Sequence, residues 1–261
     1  RGMTNSEEAH SSVWSAIGWD GHKSLTSASL HFDRMRRHSR RLGIDFPDNF
    51  GEQVSSLLGA VLVPEDRNDD PCQDPYLMVI RLTSEGVVSA TGAVNRKWPS
   101  RPLSGISISA PTWEGDIRGT KHGDYGPYKE ARLIAEDNGG DIGLLFENGC
   151  LIDGDRCAPL LLDSDGVAYH SPHHDGALDS VTLHVIKPYL EESGIPVRTA
   201  RLTLGMIERS SEMIVCGSGM GIKALGTIDG RKIGKPHGPL FSISQEAWSK
   251  REISSKFLEA N

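Results

Sequence analysis

The chain has 261 residues, of which 37% are hydrophobic and 24% charged, with a formal net charge of −7. This length serves one large domain or two modest ones, and the composition excludes a disordered chain. The acidic balance argues against a broad nucleic-acid-binding face, and no apolar run nears the ~18 residues of a membrane span. The four cysteines, Cys72, Cys150, Cys157 and Cys216, form no Cys-x-x-Cys pair, and the first eight residues lack the apolar core of a signal peptide. A cytoplasmic protein with reduced thiols is the expectation.

Val13–Trp19 alternates as a short strand, and Asp20-Gly21-His22 is a turn signal. Ser27–Leu42 reads as a helix with Leu30, Met35, His38 and Leu42 toward one face, arginines around the rest, and Gly43 as its stop. Phe50–Leu62 reads as a second helix. The stretch 64–75 is an acidic loop and Tyr76–Leu82 a strand. The proline-bearing, basic stretch 94–102 leads to an expected domain boundary near residue 103, giving domains 1–103 and 104–261. Beyond it, Gly105–Ser109 is a strand and Tyr128–Asn138 a helix closed by Gly139-Gly140. Ile142–Phe146 and Cys150–Ile152 flank an Asn148-Gly149 hairpin turn. Leu160–Leu162 and Val167–His170 form a second hairpin. Ser180–Ser193 is a helix ended by Gly194, Val197–Leu204 a strand followed by a short helix, and Glu212–Cys216 a strand entering Gly217-Ser-Gly-Met-Gly221. Segregated hairpins and helices point to mixed α/β and α+β architecture.

A few residues along this frame carry chemistry. Lys121 lies in Gly119-Thr-Lys-His-Gly-Asp-Tyr-Gly126, Arg34 in His31-Phe-Asp-Arg34, and Asp153 ends an apolar run. A lysine that sheds its proton can condense with an aldehyde and later shuttle a proton. A guanidinium fork matches a phosphate dianion, and a carboxylate can pair with a protonated nitrogen. Asp155 is a nearby competitor for that last role. Gly176-Ala-Leu-Asp179 precedes a helix, and Gly217-Ser218 opens a second glycine-bearing loop.

These motifs, with Val13-Trp-Ser-Ala-Ile17 and Ile228-Asp-Gly-Arg-Lys-Ile-Gly234, resemble the class IV aminotransferase family over about residues 13 to 240. These are the fold-type IV enzymes of pyridoxal 5'-phosphate (PLP). They include branched-chain and D-amino-acid aminotransferases and aminodeoxychorismate lyase. The resemblance implies a two-domain, D-amino-acid aminotransferase-like fold with PLP between the domains, and a homodimer. It implies Lys121 as the Schiff-base lysine and proton shuttle. Arg34, Ala177, Leu178, Gly217 and Ser218 would hold the phosphate, Asp153 the ring nitrogen, and Tyr125 would reach the phenolic oxygen. Departures from the family pattern are Ser15 for glutamate, Asp124 for asparagine, Asp153 for glutamate, Leu178 for threonine and Asp179 for arginine. The strands that precede Val13 in the family are expected to be missing.

The implied reaction moves an amino group between an amino acid and a 2-oxo acid. Arg81 and Arg101, on the small-domain side, are candidates for the substrate carboxylate. Elimination of pyruvate from aminodeoxychorismate is the alternative, and a non-catalytic binding protein on the same fold is a second. Gly219-Met-Gly221-Ile-Lys-Ala224 fits a dinucleotide-binding pattern, but the turn at 226–230 leaves no room for the long helix it needs. His170, His173, His174 and Asp175 lack a second ligand set, so no metal site is expected. Cys157 and Cys216 read as small buried hydrophobes.

Overall fold

The computed structural model describes residues 4–113 and 115–257; residues 1–3, part of the N-terminal stretch read above, lie outside it. In chain order come α1 (Ser6–Ala9), β1 (Ser12–Trp19), β2 (Leu25–Thr26), α2 (Ala28–Leu42), α3 (Phe50–Leu58), β3 (Tyr76–Thr83) and β4 (Val88–Val94). Then follow β5 (Leu103–Ser109), α4 (Gly126–Asp137), β6 (Ile142–Glu147), β7 (Cys150–Gly154), β8 (Ala158–Leu162) and β9 (Ala168–His170). The remainder is α5 (Val181–Glu192), β10 (Val197–Thr199), β11 (Leu202–Thr203), α6 (Leu204–Glu208), β12 (Glu212–Gly217), β13 (Gly221–Ile228), β14 (Arg231–Lys232), α7 (Pro239–Ser249) and β15 (Ile253–Ser254).

These strands build two sheets. The first has five strands in the order β15-β2-β1-β3-β4. The second has ten, in the order β10-β9-β8-β12-β13-β5-β6-β7-β11, with β14 paired to β13. The chain passes from one sheet to the other between Val94 and Leu103, and β15 returns it to the first.

Period-two patterning sets the faces. Along β3, Tyr76, Met78, Ile80 and Leu82 are buried while their neighbours are half-exposed. They join Val13 and Ile17 of β1, and Met35, Phe50 and Val54 of the helices, in one core. β12 is buried on both faces: Met213 and Val215 enter one core, and Ile214 and Cys216 enter another beneath α5 and α7. On α2 the buried residues Ala28, His31, Met35, His38 and Leu42 follow helical spacing, and Arg34 lies among them. Arg34 therefore sits on the packed face, not among the arginines of the rest of the helix. A buried arginine and two buried histidines on one helix face mark the wall of a site.

Several elements differ from expectation. α3 stops at Leu58 with Gly59 at its C-cap, and Leu62 beyond it is strongly exposed. β4 carries no strong signal, since its residues are mostly small and none is buried. The strand expected over Val197–Leu204 is two: β10 pairs parallel with β9, and β11 pairs antiparallel with β7. Gly221–Ile228 is a strand antiparallel to β12, so no helix follows the glycines there. The Asn148-Gly149 turn takes the left-handed conformation at both residues, φ 51° and 74°, as a two-residue hairpin requires. Among the described residues no helix is long and apolar enough to cross a membrane.

Candidate active site

The loop between β5 and α4 is stitched to β1, to α2 and to the turn before α5. The Lys121 N–H donates to His38 Nδ1 at 3.1 Å, and its carbonyl accepts from the Trp14 N–H at 3.2 Å. Trp14 Nε1 donates to the His122 carbonyl at 2.8 Å. At Gly119, with φ +74°, a Cβ would fall 2.9 Å from the His173 carbonyl and 3.1 Å from that of Ala177. Only glycine lets this loop approach the turn before α5 so closely. Asp124 is buried as a structural acceptor, taking the N–H of Asn5 at 2.9 Å and of Gly126 at 3.3 Å. The two bonds use different oxygens, so an asparagine here would keep only one of them.

Lys121 thereby faces a cavity of about 350 Å³, within the usual range for small-molecule sites. Its Nζ lies 4.0 Å from the Trp14 ring centroid and 4.9 Å from that of Tyr125. Burial, with the nearby Arg34 charge, lowers its pKa to about 7, while Asp153 acts in the opposite sense. A large fraction of such an amine is neutral near neutral pH, the form that attacks an aldehyde. The phenol of Tyr125 is pushed up by burial. Its ring stacks on Tyr128 at 4.4 Å and meets Trp14 edge-on at 4.7 Å.

Asp153, next to last in β7, lines the same cavity. Its Oδ1 accepts from the Gly154 N–H at 2.9 Å and its Oδ2 from the Leu178 N–H at 3.0 Å. Burial raises its pKa to about 7 against those bonds. Asp155 also borders the cavity, but its Oδ2 accepts from the Gly143 N–H at 3.0 Å and its Oδ1 lies 3.4 Å from Arg156. That carboxylate ties β6 to the following corner.

Arg34 donates from Nη1 to the Asp179 carbonyl at 3.0 Å and from Nη2 to Ser15 Oγ at 2.7 Å. Its Nε is buried without a protein partner, and so is the Thr182 hydroxyl. Both residues line the cavity, as do Gly217 and Ser218. Thr182 stands in the first turn of α5, where backbone N–H groups point outward and the dipole favours an anion. Two orphaned buried donors beside a helix N-terminus and the Ser218 hydroxyl fit a phosphate group. Asp179 turns its carboxylate away, onto Arg37 and onto His184 at 2.9 Å. Those bonds hold it well below the usual carboxylate range although burial opposes them.

Some expected residues stand elsewhere. Ala177 is buried behind the cavity wall, its carbonyl 3.2 Å from His173 Nδ1. Leu178 lines the cavity, but its N–H is spent on Asp153 rather than left for a phosphate. Neither proposed carboxylate-binding arginine borders the cavity. Arg81 donates to Ser12 Oγ at 2.7 Å and lies against Trp14 from outside. Arg101 is exposed and held by both oxygens of Asp141, at 2.7 and 2.8 Å. The cations that do line it are Arg96, Lys129, Arg132 and Arg156. Trp98 lies between two of them, with Arg96 at 4.4 Å and Arg156 at 4.7 Å from its ring. In all, six basic and two acidic residues line the cavity of a chain whose net charge is −7. Sequence reasoning missed Thr182, although a Ser-x-Thr at a helix start is a visible signal. It also missed the mouth cations, which look like ordinary surface charge.

His170 and His173 sit near one another, ring centroids 6.1 Å apart, and His173 reaches toward Asp179 at 3.6 Å. Cys157 and Cys216 are buried at the cavity wall with thiols pushed up by burial, Cys216 to about 12.

Solved structures share this architecture. A fold IV-transaminase from Curtobacterium pusillum superposes with a TM-score of 0.74 at 17% identity, covering 93% of this chain and 87% of that one. A branched-chain aminotransferase from Thermoproteus uzoniensis, with norvaline, gives 0.73 at 17%, covering 92% and 84%. A Legionella pneumophila protein with a provisional 4-amino-4-deoxychorismate lyase assignment gives 0.72 at 18%, covering 90% and 88%. These likenesses show the fold-type IV architecture alone. A search among curated proteins finds no significant match. The family description "Amino-transferase class IV" matches residues 16–225, and the chain belongs to the class IV aminotransferase family.

Proposed function

We propose that this chain is a PLP-dependent aminotransferase that moves an amino group between an amino acid and a 2-oxo acid. One observation carries the reading: Lys121, Arg34 and Asp153, far apart in sequence, border one cavity. Arg34 Nε and the hydroxyls of Thr182 and Ser218 are the donors for a phosphate, and Asp153 is the acceptor for a ring nitrogen. Tyr125 is the partner for the phenolic oxygen. Bound PLP supplies the electron sink for a carbanion at the substrate α-carbon.

The chain's own residues supply the rest. Lys121, poised near neutral pKa, takes a proton from the α-carbon and returns one. Trp14, Leu77 and Met220 form apolar wall that excludes water. Arg156 and Arg132, rather than Arg81 or Arg101, attract the substrate carboxylate. A homodimer in the cytoplasm belongs to the same reading, on the family resemblance.

The alternative, elimination of pyruvate from aminodeoxychorismate, has one observation in its favour. Four cations at the mouth suit a substrate with two carboxylates. Product analysis separates the two: amino transfer needs an oxo-acid acceptor, whereas elimination releases pyruvate and 4-aminobenzoate without one. A chain that takes up no PLP is a binding protein on this fold.

A further inference from the structure

Behind the cavity a hydrogen-bonded chain links Arg34 to Ser218 through residues assigned no role above. Arg34 Nη2 donates to Ser15 Oγ at 2.7 Å, Ser15 Oγ lies 2.6 Å from His31 Nδ1, and His31 Nε2 lies 3.2 Å from Ser218 Oγ. Ser15 and His31 are fully buried and Arg34 is 4% exposed. The guanidinium can only donate, so it fixes one end.

Two arrangements of protons remain for a neutral ring. In the first, Ser15 donates to Nδ1, Nε2–H donates to Ser218, and the Ser218 hydroxyl proton is left for the cavity. In the second, Nδ1–H donates to Ser15, whose own proton then has no acceptor. Ser218 would then donate backward to Nε2 and show the cavity only lone pairs. Ser15 Oγ has no third hydrogen-bond partner among the described residues, so the second arrangement orphans a fully buried O–H. A protonated ring would orphan the same proton. It is also opposed by burial and by the charges of Arg34 and Lys121.

We propose that Ser15 and His31 are positioning residues that hold the ring as its Nε2–H tautomer, so that the Ser218 hydroxyl donates into the cavity and selects an anionic phosphate there. Serine suits the centre of β1 for this purpose: it accepts from Arg34 and passes one proton on, which a carboxylate at that position would not do. The inference rests on the PLP reading, with Arg34, Thr182 and Ser218 around the phosphate.

The tautomer is read directly by long-range ¹H–¹⁵N correlation on the cofactor-free protein, with the His31 signals assigned by their loss in His31→Phe. Nε2 protonated is expected, and Nδ1 protonated overturns the proposal. Equilibrium binding of PLP and of pyridoxal, which lacks the phosphate, follows by absorbance. His31→Phe should lower the preference for PLP over pyridoxal at least tenfold, as should Ser218→Ala. The double variant should lose no more, and pyridoxal affinity should hold. His31→Gln, whose amide N–H reaches the Nε2 position, should recover the preference. If PLP and pyridoxal weaken together in His31→Phe, or neither weakens while wild type binds PLP, the relay is overturned and the PLP reading stands. If wild type takes up neither compound, both fall.

Discussion

Asp153→Asn tests which carboxylate serves the ring nitrogen. Both oxygens of Asp153 accept a backbone N–H, from Gly154 at 2.9 Å and Leu178 at 3.0 Å. Asparagine keeps one acceptor and turns an amide N–H₂ toward the other donor. It also removes the anion that would hold a pyridine nitrogen protonated. A charged hydrogen bond contributes about 1.5–3 kcal/mol, so turnover should fall about 10- to 150-fold at 1.36 kcal/mol per decade. The cofactor-free protein gives a second readout. Burial raises the Asp153 pKa from 3.8 to about 7. Its contribution to stability is therefore full below the unfolded value and lost as pH climbs through the folded one. Asparagine does not ionise, so its melting temperature relative to wild type should rise from about pH 4 to about pH 7. The lowered Lys121 pKa acts between about 7 and 10.5, outside that window. The assays are steady-state kcat and thermal melts across pH, with Asp155→Asn in parallel. Unchanged turnover in Asp153→Asn with a large loss in Asp155→Asn would refute the assignment.

Thr182→Val should weaken PLP at least about tenfold by removing a hydroxyl donor while keeping the shape, as equilibrium dialysis would register. Arg101→Ala should leave PLP affinity and KM unchanged and cost no more than about 1 kcal/mol in urea unfolding, because Arg101 is itself exposed and Asp141 keeps its two bonds from Ser104. Arg156→Ala and Arg132→Ala should each raise KM for carboxylate substrates more than they lower kcat, seen in initial-rate kinetics. Met78→Ala, in the first core, should cost about 2–5 kcal/mol of stability by the same unfolding measurement.

The sequence was most legible where pattern and chemistry agreed. The alternation of β3, the Asn148-Gly149 turn and the Gly43 stop of α2 each follow from local conformational preference. Lys121, Arg34 and Asp153 were recognisable as chemistry, and the fold brings them to one cavity. What failed depended on long-range packing. β10 and β11 part because each finds a different partner strand, which no local pattern encodes. Arg101 looked available until Asp141, forty residues away, engaged both its nitrogens. The family resemblance gives the Leu178 N–H to a phosphate, yet Asp153 Oδ2 accepts it at 3.0 Å. Ser15 read as a lost glutamate, and its bonds to Arg34 and His31 exist only in the folded chain.

The most direct test of the central claim is to add PLP, record the visible spectrum, reduce with borohydride, and map the labelled peptide. The account predicts a visible band and a single label on Lys121, with both lost in Lys121→Ala. A protein that stays colourless, or a label on Lys129 at the cavity mouth with Lys121 untouched, would contradict it.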